Sequence, residues 1–271
     1  MKKLFAPLFI LSALFALSAH SQSTVKLEGD VNIADDPSTT AEEGNLTVDG
    51  ALTVKKSLLI GDSPYSSVSD RFSVAVGRGV IAGAESSFAM GIWTEATGMY
   101  SFAFGNHAKA VQNHSFAFGY DSLSSGYLTI ALGGNSKSTG GRSIALGADT
   151  VASGNFSVAL GYSAKALGWG SMAFGATTVS DVFSQTSIGW YNASLAKHGN
   201  DSLTRWYPDD PLFVVGNGTS DTARSNAFVV FKSGDAKVFR NLEVQEEIKA
   251  ESVKVNRPGG GISMGEFGPN K

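Results

Sequence analysis

A glycine returns every fourteen residues, nine times without a break: Gly77, Gly91, Gly105, Gly119, Gly133, Gly147, Gly161, Gly175 and Gly189. Two positions before each stands a small residue, Ala75 in the first unit and alanine in every later one until Ser187. Four positions before each stands a hydroxyl, from Ser73 onward, until Gln185 replaces it in the ninth unit. A strict short period marks stacked equivalent coils, each touching only its neighbours, rather than one globular core. The functional question therefore shifts from an active site to a surface.

Within a unit the first five residues alternate small and large, the period of a strand. The large positions are apolar throughout, for example Phe102/Phe104, Phe116/Phe118, Ile130/Leu132 and Ile144/Leu146. The glycine permits a sharp departure, and a second short strand follows with small residues at alternate places, such as Ala108/Ala110 and Ser122/Ser124. A second glycine (Gly98, Gly126, Gly140, Gly154, Gly168) closes most units. Two strands and two tight turns make one narrow coil, and coils stacked at about 4.8 Å build a rod on the order of 40 Å long. So narrow a coil leaves room on one strand face only for Ser, Ala and Gly. The large residues form a ladder on the other face, too big an apolar patch for a soluble monomer to expose. That ladder is buried either inside the coil or between chains, and an interchain seam is the favoured reading.

The unit S-x-A-x-G-x-x-(A/S/T)-x-(A/S)-x-G-x-x, running from Ser73 to about His198, resembles the YadA-type head repeat of the trimeric autotransporter adhesins. The resemblance implies a left-handed parallel β-roll of about nine coils, assembled as a parallel homotrimer, and attachment to host or environmental surfaces. Two features depart from it. No counterpart of that family's four-strand C-terminal membrane anchor is found, the sequence ending Gly-Pro-Asn-Lys271, so attachment to a cell is expected through another component. The asparagine that often precedes the serine in collagen-binding heads is replaced by Phe72, Ser86, Tyr100, His114, Leu128, Arg142, Phe156 and Gly170, which argues against collagen as the ligand.

The flanks differ from the coils. Residues 1–21 read as a signal peptide: basic Lys2 and Lys3, an apolar run from Leu4, then Ala19-His20-Ser21 at the cleavage position, giving Gln22 as the mature start. Export through a Sec-type signal to the surface of a Gram-negative bacterium follows. Residues 22–62 carry a six-residue spacing (Leu46/Val48, Leu52/Val54, Leu58/Ile60) and read as a stalk of short strands, with 63–72 a linker before the head at 73–198. A hexad spacing also occurs in left-handed β-helix acyltransferases, but here it is interrupted and has no histidine nearby. Residues 199–240 read as a connection followed by two strands closed by glycine turns, and 241–271 as short strands and a loose tail. These flanks look fibre-like.

Composition removes several function classes. There is no cysteine, so an exported domain of this kind is held by backbone bonding and packing. Acidic residues (24) outnumber basic ones (21), two of which lie in the leader, and nucleic acid is not an expected partner. The coils from 73 to 189 hold only ten charged residues. His107 and His114 read as solvated turn residues without metal partners, and the repeated serines have no base beside them, so neither an enzyme, a cofactor nor a metal is expected. Trp93, Tyr100, Tyr120, Tyr127, Tyr162 and Trp169 fall at turns and are the candidate binding residues, for a surface protein or a glycan. Tyr120/Tyr162 and Tyr127/Trp169 each recur three coils apart, roughly 14 Å along the rod. The competing expectation is a purely structural extracellular spacer with no receptor.

Overall fold

The computed structural model describes residues 58–60, 66–68 and 72–245. The leader, most of the hexad segment, and the chain after Gln245 lie outside these described residues. Among those described, the chain is all β apart from one 3-10 turn at Gly199–Leu203, and no helix is long and apolar enough to cross a membrane.

Most fourteen-residue units lay down a five-residue strand and a two-residue strand, as in Phe102–Asn106 followed by Lys109–Ala110. Every strand pairs in parallel with its copy one coil away, at matching positions: Phe102 beside Phe116, Ala103 beside Ala117, Gly105 beside Gly119. The longer strands form a broad sheet of thirteen strands, and the shorter ones a narrow sheet of nine. The result is a parallel β-solenoid of about nine turns.

The repeat glycines are obligatory for two reasons. Their φ lies near +125°, as at Gly147 (+123°), a region that other residues rarely enter. A Cβ on Gly147 would also stand 1.9 Å from the carbonyl oxygen of Gly161 on the next coil. The closing glycines act differently: Gly140 is not left-handed, but a Cβ there would meet the Gly154 carbonyl oxygen at 2.1 Å. Both columns are glycine because backbone packs directly on backbone.

The interior is a lattice of small side chains. Ala75, Ala89, Ala103, Ala117, Ala131 and their successors are fully buried beneath the broad sheet, facing Ala82, Ala96, Ala110, Ser124 and Ser138 of the narrow one. The hydroxyl column lies beside them and closes the turns. Ser143 Oγ donates to the Gly140 carbonyl at 2.7 Å, Thr129 Oγ1 to Gly126 at 2.7 Å, and Ser87 Oγ to Ala84 at 2.7 Å. These three hydroxyls meet the demand that polar groups out of water find partners, whereas Ser115, Ser157 and Ser171 Oγ are buried without one.

Two further corners of each coil are left-handed, and here glycine is the exception. One corner just precedes the buried hydroxyl (Tyr100 φ 56°, His114 58°, Arg142 58°, Phe156 58°), and the other follows the repeat glycine by two (Trp93 53°, His107 56°, Asp121 49°, Asp149 56°). Such a backbone costs about 1–2 kcal/mol for an ordinary residue. It is offset by a bond to the coil below: His114 N–H donates to the Met99 carbonyl at 2.9 Å, and His107 N–H to Ile92 at 2.9 Å.

The sheet extends past the glycine repeat at both ends. Leu58–Ile60 pairs in parallel with Val74–Val76, and Ser67–Val68 with Ile81–Ala82, so a further coil precedes the first repeat glycine. At the other end, Pro211–Asn217 pairs in parallel with Thr186–Trp190, placing Gly216 beside Gly189. Asn226–Phe231 and Ala236–Val238 then add antiparallel strands. The narrow sheet stops at Val179–Ser180, where a side chain stands in for the missing strand: Val179 N–H donates to Asn192 Oδ1 at 2.7 Å, and Asn192 Nδ2 donates to the Val179 carbonyl at 2.8 Å. Asn226 treats the backbone of Ala193 in the same manner, at 2.9 and 3.0 Å. Gln185, in place of the usual hydroxyl, accepts from the N–H groups of Asp181 and Val182.

Gly147→Ala is expected to lower stability by at least about 3 kcal/mol, combining a forbidden φ with a backbone collision. Gly134→Ala, where a Cβ meets nothing within 4 Å, is expected to be neutral or slightly stabilising. Thermal melting of the two variants beside the parent checks the contrast.

Candidate functional site

With Ala and Ser filling the interior, the large apolar residues project outward from the broad sheet. Register fixes two unbroken columns. One runs Leu58, Val74, Phe88, Phe102, Phe116, Ile130, Ile144, Val158, Met172, Thr186, Phe213, Val230 and Ala236. Its neighbour runs Ile60, Val76, Met90, Phe104, Phe118, Leu132, Leu146, Leu160, Phe174, Ile188, Val215, Phe228 and Val238. A single chain leaves much of this ladder in water, with Phe118 and Leu160 each 45% exposed. The sheet spacing forces rings on successive coils face to face: Phe102 and Phe116 lie 4.8 Å apart at 4°, and Phe104 and Phe118 5.0 Å apart at 10°.

The opposite face has another character. The outward column of the narrow sheet is Ile81, Glu95, Lys109, Leu123, Lys137, Val151, Lys165 and Val179, and Lys109 Nζ pairs with Glu95 Oε1 at 2.8 Å. Charges scattered among aliphatic residues make this a face that water can cover. The two continuous apolar columns are therefore a property of the broad sheet.

The aromatic residues picked out from the sequence sit at the corners, in two rows. Tyr100, Tyr127 and Trp169 belong to the row before the buried hydroxyls, and there they join others. Tyr100 stacks on His114 at 5.2 Å and His114 meets Tyr127 edge-on at 5.8 Å. Arg142 lies over the rings of Tyr127 and Phe156 at 5.9 and 5.3 Å. Phe156, Trp169 and Phe183 continue at 5.3 and 5.0 Å, and Trp206 with Lys232 closes the row. Tyr120 and Tyr162 end broad-sheet strands, one residue before the other row, 57% and 58% exposed, with no ring neighbour among the described residues. Trp93 lies on that row too, its ring over Gly79, where a Cβ would be 2.3 Å from it. His114, Arg142, Phe156, Phe183 and Trp206 complete a stripe of which the sequence pointed to three members.

The connection after the ninth coil holds a titratable cluster that the repeat pattern did not disclose. His198 Nε2 lies 2.8 Å from Asp209 Oδ1, and Lys197 Nζ 3.3 Å from Asp209 Oδ2. The His198 ring stacks on Tyr207 at 3.8 Å. Hydrogen bonding from His198, with help from Lys197, holds the Asp209 carboxyl below its usual pKa. Buried Asp210 lies beside it, with the Lys232 ammonium 4.0 Å from its Oδ2. Burial pushes Lys232 below the ordinary lysine pKa, against the opposing pull of Asp210. His198, Asp209 and Asp210 present ligand atoms within 4.8 Å of one another. Two ammonium groups stand beside these carboxylates, and the Asp210–Lys232 contact ties the connection to the hairpin.

Among comparisons with known proteins, the YadA head domain repeat matches residues 82–108, 96–122, 124–150 and 152–178. Each match spans two coils of the solenoid, so residues 82–178 are similar to YadA-type head repeats. No curated protein matches the chain. The repeat and the solenoid together point to a non-enzymatic protein.

Asp181, at the foot of the connection, is raised above its usual pKa chiefly by burial, although Ser194 Oγ donates to its Oδ2. A folded-state pKa above the unfolded one means that this group favours folding in acid and loses that contribution as pH rises through its folded pKa. Asp181→Asn is therefore expected to raise the urea midpoint at pH 7. The difference from the parent should close as pH falls toward 4, and paired unfolding curves at the two pH values check it.

Proposed function

We propose that the mature chain is an exported homotrimeric surface protein whose roll serves as an adhesin-like head. The observation that carries this reading is the pair of outward columns on the broad sheet, apolar on nearly every strand, while the outward column of the narrow sheet mixes charge with aliphatic residues. Moving a half-exposed Phe, Leu or Met out of water gains roughly 1 kcal/mol, and two such residues per strand make sister chains the natural cover. The columns continue through Phe213/Val215, Val230/Phe228 and Ala236/Val238, so the antiparallel strands share the seam with the coils. The signal-peptide reading of residues 1–21 supports export, and the YadA-type repeats support attachment to a host or environmental protein or glycan. On this reading the chain works at the surface of a Gram-negative bacterium. The exposed corner aromatics Trp93, Tyr100, Tyr120, Tyr127, Tyr162 and Trp169 are the first residues to test for ligand contact.

A second reading, a structural fibre spacer without a receptor, is favoured by the ring stripe. Rings such as Trp169 and Phe183, parallel within 3°, cover one another's faces rather than offering them to a ligand. Saturable binding of labelled protein to matrix proteins, glycans or cells supports the head, and its absence across that panel supports the spacer.

Sedimentation equilibrium of the mature protein is expected to give the mass of three chains. Phe102→Glu with Phe116→Glu is expected to abolish that species. A parent chain that remains a soluble monomer contradicts the assembly.

A further inference from the structure

The two left-handed corner rows flank the broad sheet, one at each end of its strands. In the leading row the ionisable side chains besides tyrosine are His114 and Arg142, both basic types; in the trailing row they are Asp121, Asp149 and His107. The opposed residues share rungs. His114 and Asp121 bracket the strand Phe116–Tyr120, and Arg142 and Asp149 bracket Ile144–Ala148.

Within one chain these groups do not pair. A five-residue strand separates the two edges by on the order of 15–20 Å, far beyond ion-pair reach. The Arg142 guanidinium has ring faces above and below but no acceptor among the described residues. Asp121 has no side-chain partner among them, and Asp149 accepts one bond, from Asn135 Nδ2 at 3.0 Å.

When copies turn their broad sheets toward a common axis and lie parallel, rotation brings the leading edge of one against the trailing edge of the next. This is a heterologous contact that closes into a ring. The apolar columns cannot fix how far one copy slides along another, because a slip of one rung, about 4.8 Å, sets one large apolar pair in place of another. The corner charges can. In step, Arg142 meets Asp149 and His114 meets Asp121. One rung out of step, Arg142 faces Asn135 or Ser163, and His114 faces His107 or Asn135.

We propose that the corner rows are the register key of the assembly: the Arg142 edge of one copy docks on the Asp149 edge of its neighbour, rung for rung. This rests on the self-association reading above and specifies its contact. The ion pairs discriminate against slipped and antiparallel arrangements while the apolar columns supply the bulk of the adhesion.

The test is a charge swap in the full mature protein, read as the concentration at which the assembly dissociates. Arg142→Asp and Asp149→Arg are each expected to raise that concentration about tenfold or more, since each sets like charges together. The double variant, with the pair restored in reverse, is expected to return to within about threefold of the parent. Because the two sites are too far apart to interact within a chain, rescue reports a contact between chains. Lys165→Glu on the narrow sheet controls for net charge and is expected to leave dissociation unchanged, and circular dichroism checks that each variant is folded. An intact assembly whose double variant is no stronger than the singles overturns this proposal alone. A parent that never assembles overturns the self-association reading, and this one with it.

Discussion

The carbonyl oxygen of each repeat glycine fills the place where a side chain of the glycine one coil below would stand. The rest of the molecule follows from that contact. Backbone on backbone draws the coils into a tight stack and gives every strand its copy as neighbour at matching positions, and it repeats the corners of one coil on the next. The cross-section it leaves is so narrow that alanine, serine and threonine fill it. A globular domain buries its large residues within one chain; here the same demand is passed to the outside surface.

That displacement links packing to function. The interior contributes many hydrogen bonds and little apolar area per residue, and the area that would stabilise an ordinary core lies on the outer face of the broad sheet. The stacked phenylalanines show how strictly the backbone dictates this face: their near-parallel rings follow the rung spacing, although aromatic pairs usually prefer an offset or an edge. The narrow sheet, with Lys109 paired to Glu95 and free lysines nearby, has none of this demand. Two faces of one coil thus differ in character, one a pair of apolar columns and the other a mixture of charge and aliphatic residues.

Much of this was legible in the sequence. The period, the glycine column, the small residues two and four places before it and the alternation of the strands all record constraints that recur in every coil. The direction of the large residues was not legible, because alternation separates two faces without saying which is inside; the width of the finished coil decides it. The left-handed corners were equally hidden, since Tyr100, His114 and Arg142 occupy a conformation usually signalled by glycine or asparagine, and hold it through bonds to the preceding coil. The stripe of rings arises at those corners, which is why only part of it was foreseen. The closing amides of Asn192 and Asn226 and the His198–Asp209 pair lie where the repeat has ended, and no period exists there to reveal them.

Two methionines allow the covering of the broad sheet to be measured directly. Met172 stands in the apolar ladder and Met99 at a corner, and in a lone chain both are 39% exposed. Oxidation of the folded protein by dilute peroxide, followed residue by residue with mass spectrometry, should find Met99 converted readily and Met172 protected, because sister chains cover the ladder. Equal rates at the two positions would contradict the account, since they would leave the broad sheet facing water.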